Sequence, residues 1–152
     1  MNKIFIYLKS ILIPVALGAI VGFITSDYMN FNMLIQPNFQ PPAILFPIVW
    51  TILYTLMGIS YGILNSNQKT DDKINKIYYA QLFINLLWSI FFFVFEWRLF
   101  SFFWILLLIV LVVLMIKEFY EKNKIAGLIQ IPYLIWIVFA SILNRSIYIL
   151  NR

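Results

Sequence analysis

Five runs of apolar residues occupy most of this chain, and each is about as long as a helix must be to cross a bilayer, roughly 20 residues. They extend from about Ile4 to Thr25, Ala43 to Leu64, Ile77 to Phe95, Leu99 to Ile116 and Ile125 to Leu150. Composition agrees: 63% of the 152 residues are hydrophobic and 11% charged, where a soluble domain is about half apolar and about a quarter charged. Too few polar groups remain to cover a water-facing surface. The fold class expected is all-α, a single integral membrane bundle of five transmembrane helices over residues 1–152.

The charges fall between the runs. Eight basic residues (Lys3, Lys9, Lys69, Lys73, Lys76, Lys117, Lys122 and Lys124) belong to the N-terminus, second loop and fourth loop, and three (Arg98, Arg145 and Arg152) to the opposite side. Basic residues collect on the cytoplasmic side. This places the N-terminus inside, the C-terminus outside, and the protein in the cell membrane as a multi-pass chain. Lys9 snorkels to the interface. Lys3 and Lys9 before an apolar run resemble a signal peptide, but apolar sequence continues past Ala16-Leu17-Gly18, which favours a retained helix. The first loop, Ser26 to Pro42, holds Pro37, Pro41 and Pro42, so it is expected to be ordered but not helical. The second, Asn65 to Lys76, is polar. Glu96-Trp97-Arg98 makes a tight turn. No basic cluster suits nucleic acid. Cysteine and histidine are both absent, which removes the thiolate nucleophile and the commonest metal ligand and base; no metal site is expected.

Phe46, Trp50 and Tyr54 recur at i, i+4 and i+8, along one helix face. Such a stripe serves helix packing or the interfacial belt as readily as a ligand, although Trp50 lies about two turns into its helix. The third run carries Gln81, Asn85, Trp88 and Phe92 at helical spacing. A side-chain amide in hydrocarbon needs a partner, so this face should turn inward, to bridge helices or to meet a ligand. Pro132, Trp136, Ala140 and Asn144 follow at i+4 steps in the fifth run; Pro132 loosens the helix and Ala140 leaves room beside Trp136. Between Phe102 and Ile116 the fourth run has no polar side chain but the Trp104 indole, and reads as lipid-facing scaffold. Gly18-x-x-x-Gly22 permits close packing within the bundle. Aromatic stripes with no charge among them suit a flat hydrophobic ligand and suit an ion pathway badly.

Three blocks carry a resemblance over essentially the whole chain. They are Pro37-Asn-Phe-Gln-Pro41-Pro42 running into Phe46-Pro-Ile-Val-Trp50-Thr-Ile-Leu-Tyr54, then Asn85-Leu-Leu-Trp88-Ser89, then Pro132-Tyr133-Leu-Ile-Trp136-Ile-Val-Phe139-Ala140-Ser-Ile-Leu143-Asn144. In this order the chain resembles the tryptophan-rich sensory protein family (TspO/MBR), which includes the translocator protein, or peripheral benzodiazepine receptor. The resemblance implies a five-helix bundle, often a homodimer in membrane lipid, whose pocket under the first loop binds porphyrins and isoquinoline or benzodiazepine-like small molecules. By matching position, Trp50 and Tyr54, Asn85, Trp136 and Ala140 would line it, and Phe31 would cover it. Pro42, Phe46, Trp88, Phe92 and Phe139 are the neighbouring candidates. Phe39 and Ile44 stand where the family commonly has tryptophan, and the family's cholesterol motif is altered at Arg145 and Ser146.

The function expected is a membrane receptor or sensor for a tetrapyrrole, porphyrin being ligand rather than required cofactor. Transport of that ligand is the alternative, as is light-dependent porphyrin degradation with Trp50 and Trp136 as the redox-active indoles. No catalytic residue is otherwise assigned.

Overall fold

The computed structural model describes residues 2–28 and 33–152. Its helices are α1 (Lys3–Ser26), α2 (Leu45–Ser66), α3 (Asp72–Ser89, continued by a π-helical turn Ile90–Val94), α4 (Arg98–Lys122), a short α5 (Lys124–Leu128) and α6 (Ile131–Leu150). Five spans are long and apolar enough to cross a membrane, α5 and α6 together making the fifth. The protein is a multi-pass, all-helical membrane bundle.

Helix ends follow local chemistry. The Asn2 side chain accepts the Ile4 N–H at 3.0 Å, and Asp71 accepts that of Ile74 at 2.8 Å, each relieving an orphan donor of a first turn. The Asp71 cap starts α3 five residues ahead of its apolar run, so the second loop is only 67–71 and Lys73 and Lys76 ride on the helix. Likewise α4 outruns its expected end at Ile116 and continues to Lys122. These polar extensions are tied to one another at the lysine-rich end. Lys73 pairs with Glu118 at 3.0 Å, Lys122 with Asp71 at 3.1 Å, and the Lys69 ammonium donates to the Lys122 carbonyl at 2.9 Å.

Lipid tails are as apolar as leucine, so helices here associate through close approach rather than through escape from water. The α1–α2 seam shows how. Pro14 has no N–H to give the Ser10 carbonyl, and that carbonyl lies against Gly58, where an added Cβ would meet it at 2.6 Å and would also strike the Ile11 backbone. Only a residue without a side chain fits. Gly18 takes the Tyr54 ring in the same way, whereas Gly22 has nothing within 4 Å. Half of the Gly18-x-x-x-Gly22 motif therefore packs inside the bundle, and Gly58 and Gly62 form the closer seam.

Two expectations need correction. The fourth helix is not lipid-facing scaffold: α4 packs against α3, α5 and α6. It buries Ser101, Ile105, Leu108, Val112, Met115 and Phe119, a spacing of alternating four and three residues that keeps one seam inward. The peripheral helix is α1, which buries only Ser10, Pro14 and Thr25. The Glu96-Trp97-Arg98 turn is reached through the π-helical turn, where Phe95 N–H bonds back to the Ile90 carbonyl at 3.1 Å, and it closes with Glu96 in the left-handed region at φ 58°.

Candidate functional site

At the end of the bundle opposite the lysines, α2 and α6 present their aromatic stripes to each other. Trp50 stacks on Tyr54 with ring centroids 5.6 Å apart, and meets Trp136 edge-on at 6.4 Å and Tyr133 at 6.5 Å. Phe46 meets Trp136 at 5.8 Å, and Phe139 lies 5.5 Å from Trp136. From the first loop, Phe39 lies edge-on to Phe139 at 6.2 Å. Periodicity explains the convergence: residues four apart share a helix face, and both helices spend that face on rings. Trp50, Trp136 and Phe139 remain half-buried, and Ala140 is buried beside them.

Beneath the rings runs a chain of hydrogen bonds joining three helices. Tyr54 Oη donates to Asn85 Oδ1 at 2.6 Å, Asn85 Nδ2 to Tyr133 Oη at 2.7 Å, and Tyr133 Oη to Gln81 Oε1 at 2.8 Å. Gln81 Nε2 ends the chain against the Met57 sulfur at 3.4 Å. Both heavy atoms of the Asn85 amide are thereby engaged, the interhelical role that intramembrane amides commonly take. Two polar groups above this floor are not satisfied. The Trp136 indole N–H and both amide atoms of Gln40 are buried without a partner, which is uncommon for buried polar groups. An uncharged aromatic site with idle donors and an idle acceptor can hold a flat molecule by stacking and fix it by one or two hydrogen bonds. Among the described residues, no group of acids could hold a metal ion.

The loop over the site is latched. Asn151, just past α6, accepts the Ile35 N–H through Oδ1 at 2.8 Å and donates to the Ile35 carbonyl through Nδ2 at 2.9 Å. Nothing in the sequence flags this residue, because its partner is 116 positions away.

Of the sequence candidates, Phe46, Trp50, Tyr54, Trp136, Phe139 and Ala140 come together, with Asn85 below. Pro42 is exposed in the loop, and Phe31 lies outside the described residues. Trp88 and Phe92 do not join the group. They stack on each other at 5.3 Å, and the Trp88 indole donates to Asn144 Oδ1 at 3.0 Å, an atom that Ser101 Oγ of α4 also reaches at 3.0 Å. They seal the α3–α4–α6 junction instead. Tyr133 is the residue missed; its place three before Trp136 was the available signal.

The profile of the TspO/MBR family matches residues 10–150. This chain belongs to the TspO/MBR family. It is 39% identical over 145 residues to the tryptophan-rich protein TspO of Archaeoglobus fulgidus, covering 93% of this chain and 94% of that one. Identity to the tryptophan-rich protein TspO of Chlorobaculum tepidum is 34%, with 99% of both chains covered. A translocator protein homolog of Schizosaccharomyces pombe is 30% identical over 92% of this chain and 88% of its own. The TspO/MBR match spans every helix, so the aromatic site sits within shared architecture rather than in an appended segment.

Proposed function

We propose that this protein is a membrane receptor or sensor that binds a porphyrin, or a similar planar hydrophobic molecule, between the α2 and α6 stripes. The observation that carries the reading is the convergence of Phe46, Trp50, Trp136, Phe139 and Phe39 around an indole N–H that is buried and idle. In this reading Trp50 and Trp136 stack on the macrocycle, Ala140 leaves room for its edge, and Asn85 holds Tyr54 and Tyr133 beneath it. The rings now touch one another, so the ligand enters as the 33–44 loop lifts. The relatives named as sensory and translocator proteins are consistent with this class of function.

Titration of purified protein with protoporphyrin tests it, by indole quenching and by the shift of the pigment's absorption. Binding in the micromolar range is expected. Trp136→Phe keeps a stacking face, worth about 0.5–1.5 kcal/mol per ring, but loses the donor; affinity should fall by about three- to tenfold. No binding by the wild type at micromolar concentration defeats the proposal.

Transport is the second reading, and one observation favours it: the fifth span is interrupted between α5 and α6, and discontinuous helices are a transporter device. Here, though, Gln130 N–H bonds to the Gly127 carbonyl at 3.1 Å and Leu134 N–H to that of Gln130 at 3.2 Å. The interruption leaves few free helix ends to hold a substrate. The charge asymmetry supports an orientation with the lysine-rich end cytoplasmic and the latched loop outside.

A further inference from the structure

The turn between α3 and α4 opens on a second feature of the same end of the bundle. Glu96, Trp97, Arg98 and Phe100, with Tyr148 and Arg152 from the last turn of α6 and beyond, line an open cavity of about 500 Å3. Arg98 is its poorly matched charge. Its side chain is only 18% exposed, and Nε is buried without a partner. Glu96 reaches no closer than 3.8 Å to Nη2, beyond hydrogen-bond distance, and is itself 69% exposed. The guanidinium rests over the Phe92 ring at 5.5 Å. A half-buried cation that makes no good hydrogen bond is costly, unless something supplies acceptors in its plane.

The surroundings say what kind of molecule that is. Trp97, Leu99 and Phe100 are exposed beside Arg98, and Phe103 and Leu106 continue the exposed apolar face along α4. Aromatic residues at this position in a span sit at headgroup level. α4 also begins with no side chain capping it, so the positive end of that helix adds to the field. We propose that the groove binds the headgroup of an anionic phospholipid. Its phosphodiester oxygens take the Arg98 fork, Arg152 flanks them, and an acyl chain lies on Leu99, Phe103 and Leu106. A free phosphate would use the arginine but leave the apolar run bare.

The test uses the full chain in nanodiscs of equal phosphatidylglycerol and phosphatidylcholine, each in turn carrying a photoactivatable group near the glycerol. The anionic lipid should label peptides holding residues 96–100 and 148–152 about fivefold more than the zwitterionic one, the preference that one basic side chain gives for an anionic surface. Arg98→Gln should erase that preference there while labelling at the lysine-rich end is unchanged, and Arg98→Lys should keep part of it. If Arg98→Gln does not fold, Arg152→Gln should still reduce the preference. Equal labelling by both lipids in the wild type overturns the proposal, as does an Arg98→Gln protein that folds and keeps the preference. Displacement of the label by millimolar glycerol phosphate overturns the commitment to a lipid. None of these outcomes bears on porphyrin binding.

Discussion

The hydrogen-bonded floor of the site makes a quantitative claim about Asn85, and Asn85→Leu tests it. Leucine fills a similar volume, so no cavity term is expected, and what is lost is two bonds: from Tyr54 Oη at 2.6 Å and to Tyr133 Oη at 2.7 Å. Side-chain hydrogen bonds between membrane helices average about 0.6 kcal/mol and reach about 1.7, so two are worth about 1.2 kcal/mol. Leaving the buried Tyr54 hydroxyl without an acceptor adds a desolvation penalty of about 1–3 kcal/mol. Asn85→Leu should therefore cost about 2–4 kcal/mol, measured by reversible unfolding in mixed micelles. Tyr54→Phe removes one bond and no volume, and should cost about 1 kcal/mol. The double variant is the decisive protein. With Tyr54 already phenylalanine, no hydroxyl is stranded, so the two costs should fall short of additivity by at least about 0.6 kcal/mol. Additive costs would show that the short Tyr54–Asn85 bond contributes nothing and that the floor is packing alone.

Three further outcomes follow from other parts of the molecule. Gly58→Ala puts a methyl group against the Ser10 carbonyl and the Ile11 backbone; overpacking of this kind costs about 1–3 kcal/mol, and an unchanged thermal midpoint would refute the seam. The Asp71 carboxyl is held below its ordinary value, first by the Ile74 N–H and then by Lys122. Its contribution is present above the unfolded value of about 4 and lost as pH falls through the lowered folded value. Wild-type stability should thus fall more steeply than that of Asp71→Asn between about pH 5 and 3, and parallel curves would refute the linkage. Finally, in intact cells a cysteine at Met33 should react with a membrane-impermeant thiol reagent while one at Asn67 is protected; the reverse pattern inverts the orientation.

The five spans were legible because hydrocarbon thickness sets helix length and apolar runs report it directly. Their ends were less so. Residues 72–76 are polar, yet the Asp71 cap makes them helical beyond the slab. The inward seam of α4 could not be read, because every position from Phe102 to Ile116 except Trp104 carries an aliphatic or phenyl side chain and lipid-facing and core-facing residues look alike. The α2 and α6 stripes were legible as faces, and six site residues came from them. Trp88 and Phe92 failed because helical period fixes a residue's direction on its own helix but not which neighbour it meets at its depth. At the level of Asn85 the neighbours are Tyr54 and Tyr133; one turn further on they are α4 and Asn144. Asn151 and the idle Arg98 depend on contacts between distant segments, for which a single sequence offers no local mark.

The wide turn at Ile90–Val94 has a consequence for chain length. A π-helical turn holds one residue more than the regular helix would over the same rise, so it acts as an insertion absorbed inside a span. Deleting any one of Phe91, Phe92 or Phe93 would restore the ordinary bonding pattern, yet turn everything after it by about 100° about the α3 axis. Position 98 is fixed from outside, because the Arg98 carbonyl accepts the Asn144 Nδ2 at 2.8 Å. The deletion must then break either the helix it has repaired or the tie to α6. Within this span, residue count and spatial register are separate quantities, and aligning relatives by count through residues 90–94 displaces either Trp88 or Arg98 by a position.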